Sequence, residues 1–125
     1  LEPCHIFCQF YVDSTRSFLD CQVYQRSADL CLGIPYNITF YSIFTYMIAQ
    51  LTSLKPRMLI YLMGDTHIYN NHLDGCSKQL VRTPKPFPVL KFKHINKVFE
   101  IDDFKPENIE IEDYICWPHI KYELN

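Results

Sequence analysis

The chain has 125 residues, enough for one domain with a modest core, and a formal charge of -2. That balance gives no general attraction to nucleic acid or anionic membrane, so any anion site has to be built locally. No apolar run approaches the roughly 18 residues of a membrane span, and no signal-peptide pattern leads the chain.

Apolar residues make up 48% of the chain, and nine Tyr with nine Phe supply much of what can be buried. The six Cys match no zinc spacing and no export signal accompanies them, so they read as reduced thiols in a cytoplasmic protein. Each Cys taken singly also reads as a small buried hydrophobe.

Alternation over Ile6 to Val12 predicts a strand, with Ile6, Cys8, Phe10 and Val12 on one face. Asp13 to Ser17 is a polar turn, and Leu19 to Tyr24 alternates again, so the pair predicts an antiparallel hairpin. Arg26 to Tyr36 reads as irregular, punctuated by Gly33 and Pro35. A helix is predicted from Asn37 to Leu51, with Asn37 as N-cap and Phe40, Ile43, Phe44, Met47, Ile48 and Leu51 as its core stripe. Leu59 to Tyr69 predicts a strand around Gly64-Asp65, and Asn70 or Asn71 can cap a short helix through Leu80. Pro84, Pro86 and Pro88 force an extended connection. Val89 to Phe92 and Asn108 to Tyr114 are short strands, Ile101 to Phe104 is a loop or helical turn, and the tail after Trp117 is extended. The fold class is α+β: a mixed or antiparallel sheet packed on one long buried helix, in a single domain over 1–125.

Several residues could carry chemistry. Cys4 is a candidate nucleophile entering a strand directly after Pro3. His5 is a poor direct partner for it, since neighbours on a strand point to opposite faces. Arg26 is the better activator, because the hairpin can return the end of the second strand to the start of the first. Gln25-Arg26-Ser27 offers a guanidinium beside a hydroxyl, which suits a phosphate, though a solvated turn would look the same. Asn37 has both a donor and an acceptor for a base edge, against the simpler reading of a cap. His67 and Tyr69, on one face of a strand, could hold a sugar hydroxyl or be core residues with satisfied hydrogen bonds. The chain does not begin with Met and opens just before Cys4, so an upstream half is expected.

Taken in order, Pro3-Cys4-His5, Cys8-Gln9-Phe10-Tyr11-Val12, Tyr24-Gln25-Arg26-Ser27-Ala28-Asp29, Leu32-Gly33-Ile34-Pro35-Tyr36-Asn37-Ile38, Leu54-Lys55-Pro56, Gly64-Asp65-Thr66-His67-Ile68-Tyr69-Asn70-Asn71-His72, Pro84-Lys85-Pro86-Phe87-Pro88 and Ile101-Asp102-Asp103-Phe104 resemble the thymidylate synthase family. The resemblance runs the length of the chain and corresponds to the C-terminal half of that family's domain, the N-terminal half being absent. It implies methylation of dUMP to dTMP, with 5,10-methylenetetrahydrofolate as carbon donor and reductant and no metal. By the same resemblance Cys4 is the nucleophile at uracil C6, Arg26 and Ser27 hold the 5′-phosphate, and Arg26 also favours the thiolate. Asn37 reads the uracil and stabilises the enolate, Gln25 supports the nucleotide, and His67 and Tyr69 take the ribose hydroxyl. Asp29 and Gly33 face the folate, and His5 joins the network near the uracil.

A homodimer is implied for the full-length protein, with neither membrane nor DNA as partner, in a cytoplasmic setting compatible with nuclear or mitochondrial pools. The other class of function to weigh is a non-catalytic copy that binds nucleotide or only occupies a dimer interface. Departures from the family pattern fall at Glu2 (usually Pro), Cys31 (usually Gly), Thr39 and Phe40 (usually small), around Gly75, and at the end of the tail, where a final Val is missing. Phe40 is expected to overpack and displace the helix that carries Asn37.

Overall fold

A computed structural model describes residues 3–93 and 100–124, so Glu2 and Asn125 lie outside the described residues. The chain divides into two compact units, Leu1–Ile68 and Tyr69–Asn125.

The first unit contains β1 (His5–Val12), β2 (Phe18–Asp29), α1 (Gly33–Leu51) and β3 (Lys55–His67). The sheet order is β1-β2-β3, with β1 antiparallel and β3 parallel to the central β2. A parallel neighbour needs a crossover, and α1 is that crossover. The mixed sheet packed on one long helix is therefore present. Asp13 builds the hairpin turn: its carboxylate accepts from the Thr15 hydroxyl at 2.6 Å and from the Ser17 and Phe18 amides at 2.9 Å.

Cys21 and Val23 of β2 pack with Tyr41 of α1 as the core, flanked by Cys8, Phe10, Phe44, Leu59 and Tyr61. Burial raises the Cys21 thiol above its ordinary pKa. The segment from Arg26 to Tyr36 is not irregular: β2 continues to Asp29 and α1 begins at Gly33. Pairing of Ser27, Ala28 and Asp29 with β3 engages the backbone there, which outweighs the weak local preference. Pro35 is accommodated because the first-turn amides of a helix have no intrahelical acceptor.

The buried face of α1 also differs from the expected stripe. Ile34, Tyr41, Thr45 and Ala49 are buried, while Phe40 is 59% exposed. Thr45 returns its hydroxyl to the Tyr41 carbonyl at 2.7 Å, and Ala49 is small enough for close approach. Phe40 stacks along the surface on Phe44, with ring centroids 6.2 Å apart, and α1 runs past it unbroken, so it does not overpack the helix. Strand β3 starts at Lys55 and includes Pro56, which a strand paired on one side tolerates. It stops at His67, so Tyr69 does not share a strand face with His67.

In the second unit a 3-10 turn, Asn70–His72, leads into α2 (Leu73–Leu80). Strand β4 (Val89–Phe92) pairs antiparallel with β5 (Ile109–Glu112), fastened by Lys91–Glu112 at 2.5 Å and by Lys93–Glu110. Phe92 meets the buried Phe104 edge-on at 4.9 Å. The tail lies along α2. His72 Nε2 donates to the Glu123 carbonyl at 2.7 Å, and the Tyr122 hydroxyl donates to Gln79 at 3.0 Å. Among the described residues no helix is long and apolar enough to cross a membrane. Cys4, Cys8, Cys21 and Cys116 are free thiols, whereas the expectation of reduced thiols fails at Cys31 and Cys76, which are not.

Candidate functional site

The residues singled out in the first unit gather at one end of its sheet. β1 begins there, β2 and β3 end there, and α1 starts there. His5 pairs with Gln25, Ser27 with Asp65, and Asp29 with His67. The carboxyl ends of parallel strands beside a helix start are where open sheets take ligands.

Arg26 is tied to the chain around Cys4 twice. Its amide donates to the Cys4 carbonyl at 2.9 Å, and its guanidinium Nε donates to the Pro3 carbonyl at 3.1 Å. Cys4 itself is exposed and free. Ser27 follows, half-buried, and its hydroxyl meets no protein partner among the described residues. The hairpin thus brings a thiol, a guanidinium and a hydroxyl to one edge.

Gln25 supports this edge from within the sheet. It is buried, its Oε1 accepts from Tyr61 at 2.5 Å, and its Nε2 donates to the Ser27 carbonyl at 2.7 Å. Burial pushes the Tyr61 phenol up to about 12, which keeps it protonated as the donor. Tyr61 and Tyr41 are the functional candidates the sequence reading missed. Tyr41 lay outside the apolar stripe expected of the helix, and Tyr61 lay unremarked within the strand expected from Leu59 to Tyr69.

Asp29 takes the capping role expected of Asn37. Its Oδ1 accepts from the Cys31 and Leu32 amides at 3.2 and 3.4 Å, and its Oδ2 accepts from the Gly33 amide at 3.2 Å. A carboxylate at a helix start is favoured by the orphan amides and by the helix dipole. Asn37 therefore lies inside the first turns of α1. It is half-buried, with its side-chain amide unengaged among the described residues. A Cβ at Gly33 would stand 3.8 Å from the Asn37 Oδ1, so the amide lies above that glycine.

A β-bulge interrupts the β1–β2 register between His5 and Phe7. Unbroken alternation from Cys8 and Phe10 would put His5 on the outer face. The extra residue re-aims it toward α1, where its Nδ1 lies 3.3 Å from the Tyr41 hydroxyl. His67, at the end of β3, accepts the Leu30 amide on its carbonyl at 3.0 Å, and its Nδ1 lies 4.0 Å from the Asp65 carboxylate. Tyr69 belongs to the other unit, where its ring packs edge-on to His72 at 5.5 Å.

For a folate, the observation that bears on fit is Asp29. Its carboxylate, held at the start of α1 by the Cys31, Leu32 and Gly33 amides, is an acceptor of the kind that the N–H edge of a heteroaromatic ring requires. Among the described residues no group of three or more His, Cys, Asp and Glu side chains could hold a metal ion.

The first unit is thus a mixed sheet with a crossover helix, carrying a thiol, a guanidinium and a side-chain amide at one end. The family profile described as thymidylate synthase matches residues 1–125. The chain is 52% identical to the thymidylate synthase of Homo sapiens over 124 residues, covering 99% of this chain and 38% of that protein. It is 49% identical to that of Varicella-zoster virus (strain Dumas) over 124 residues, 99% of this chain and 40% of the relative. With that of Saccharomyces cerevisiae it shares 44% over 132 residues, 100% of this chain and 43% of the relative. The chain belongs to the thymidylate synthase family, and it spans about two fifths of the length of these relatives.

Proposed function

We propose that this chain carries the nucleophile and much of the nucleotide site of a thymidylate synthase, a methyltransferase that converts dUMP to dTMP in the cytoplasm. The observation that carries the reading is the double tie of Arg26 to the backbone of Pro3 and Cys4. It holds the Arg26 guanidinium at the backbone of the residue before Cys4, where it can meet a phosphate.

Cys4 adds as thiolate to C6 of the uracil. The C5–C6 π electrons move toward O4, giving an enolate that makes C5 nucleophilic. Asn37, with an unengaged amide, donates to the developing O4 charge and accepts from N3–H, which selects uracil over cytosine. Arg26 and Ser27 hold the 5′-phosphate, and Gln25 fixes the Ser27 backbone from below. His5 extends the hydrogen-bond network near the base. His67 takes the ribose hydroxyl, with Tyr69 as its expected companion. Asp29 and Gly33 face the co-substrate. When bound, 5,10-methylenetetrahydrofolate supplies the one-carbon unit and the hydride. A single domain over 1–125 and a homodimer of the full-length protein complete the reading.

The test is intact-mass measurement after incubation with 5-fluoro-dUMP and the reduced folate. The expected result is a covalent adduct that disappears in Cys4→Ala. A folded sample that gives no adduct, or one that persists in Cys4→Ala, overturns the reading.

A further inference from the structure

We infer that Tyr41 sets the tautomer of His5, so that the imidazole carries its proton on Nε2 and presents it as a hydrogen-bond donor. Tyr41 is 7% exposed, and its hydroxyl lies 3.3 Å from His5 Nδ1 with the ring centroids 5.4 Å apart. Among the described residues this is the only hydrogen bond either side chain makes.

A bond between a hydroxyl and an imidazole nitrogen can run either way, and burial decides the direction here. The groups around the Tyr41 phenol are core groups: Cys8, Cys21 and the Tyr61 ring at 5.9 Å, whose own hydroxyl is committed to Gln25. Burial raises the phenol above its ordinary pKa, so it keeps its proton. That proton has one acceptor within reach, the lone pair of His5 Nδ1. Were Nδ1 protonated and donating instead, the buried phenol O–H would have no acceptor, which is the costly case for a buried donor. Nδ1 therefore accepts, and the neutral ring carries its proton on Nε2.

The β-bulge after His5 makes this possible by turning the ring onto the α1 side. Nε2 has no protein partner among the described residues, so its N–H is open to a ligand or to water. Tyr41 is thus a positioning residue that acts through His5. The tautomer follows from the hydrogen bond together with the burial of the Tyr41 phenol; only the identity of what the Nε2–H meets, a carbonyl oxygen of the pyrimidine, rests on the proposed function.

The test is a two-bond nitrogen–proton correlation spectrum of the chain labelled with 15N-histidine. It is recorded about two pH units above the ordinary imidazole value, without nucleotide or folate. The expected result is a single-tautomer pattern for His5 with Nε2 protonated. In Tyr41→Phe that pattern should give way to the averaged pattern of an untethered ring, while His72, held by the Glu123 carbonyl, keeps its own. An Nδ1–H pattern in the unsubstituted chain overturns the inference, and that spectrum alone suffices if the variant does not fold. An unchanged His5 pattern in a folded Tyr41→Phe overturns it as well. Because no nucleotide is present, failure here is separate from failure of the adduct experiment.

Discussion

Gly64 of β3 and Arg26 of β2 are in backbone contact that leaves no room for a methyl group. A Cβ at position 64 would fall 2.6 Å from the Arg26 carbonyl oxygen and 3.2 Å from its carbonyl carbon. Backbone cannot swing aside as a side-chain tip can, so the strands would have to separate. Gly64→Ala should therefore destabilise the protein by about 1–3 kcal/mol and weaken nucleotide binding by displacing Arg26. Urea unfolding and dUMP titration check both. Gly33→Ala is the control, since its Cβ would make ordinary contacts at 3.4 Å or more, and it should change little.

Asp29 anchors the start of α1 with a carboxylate that accepts from the amides of Cys31, Leu32 and Gly33. Asp29→Ala should cost about 1 kcal/mol, and up to roughly 2, as helix-cap losses do. Asp29→Asn should retain part of that stability. The expected signature is a lower urea midpoint at unchanged slope.

Gly75 makes room for the tail. A Cβ there would come within 2.5 Å of Tyr122 Cε1 and 3.2 Å of Ile120 Cγ2. Gly75→Ala should raise local helix propensity by up to about 1 kcal/mol yet lift the tail off α2. Limited proteolysis should then cut around residues 120–124 faster, with no loss of global stability. A tail cut at the unsubstituted rate would show that Tyr122 moves aside freely.

Stability should fall at both ends of the pH scale for identifiable reasons. Hydrogen bonds from Thr15, Phe18, Ser17 and the Thr15 amide hold the Asp13 carboxyl below its ordinary range, and the Arg57 fork does the same for Asp20. A depressed folded-state pKa contributes stability above the unfolded value of about 3.9 that is lost as pH falls further. The two buried phenols act in the opposite sense. Tyr61, raised to about 12 by burial, contributes stability below the unfolded value of about 10 that drains away as pH rises between the two. Circular dichroism against pH should show both limbs. Tyr61→Phe should flatten the alkaline limb and leave the acid limb unchanged.

Phe40→Ser tests the surface character of that ring. Its contacts are edge-on to Tyr41 at 5.1 Å and stacked on Phe44 at 6.2 Å, with 59% of the residue exposed. The expected loss is about 0.5–1.5 kcal/mol, the worth of aromatic pairing, with no gain in nucleotide affinity. A clear gain would mean that the ring does hinder the site.

The hairpin, the long helix and the β4–β5 pair were legible because alternation and periodicity are local signals. Strand and helix ends were less so. The end of β2 is held by its pairing with β3, and the start of α1 by the Asp29 carboxylate, and neither hold is visible in a residue's own propensity. The buried face of α1 was misjudged because hydrophobicity ranks Phe40 above Tyr41 and Thr45. Burial instead followed the face that α1 turns to the sheet, where Ile34, Tyr41, Thr45 and Ala49 lie, with the Thr45 hydroxyl bonded back to the Tyr41 carbonyl and the Tyr41 hydroxyl beside His5.

Residue order alone determined the family, the thiol at Cys4 and its nearness to Arg26, since a hairpin of that length returns its end to its start. Only the tertiary structure decided that Asp29 rather than Asn37 caps α1, that Gln25 is spent on Tyr61 and Ser27, and that a bulge turns His5 toward Tyr41. Two of those outcomes depend on hydrogen bonds between residues 36 apart in sequence, Tyr61 with Gln25 and Tyr41 with His5, and the local Asp29 cap depends on β2 running on to Asp29 beside β3. Their directions are fixed by which polar atoms lose water when sheet and helix close together.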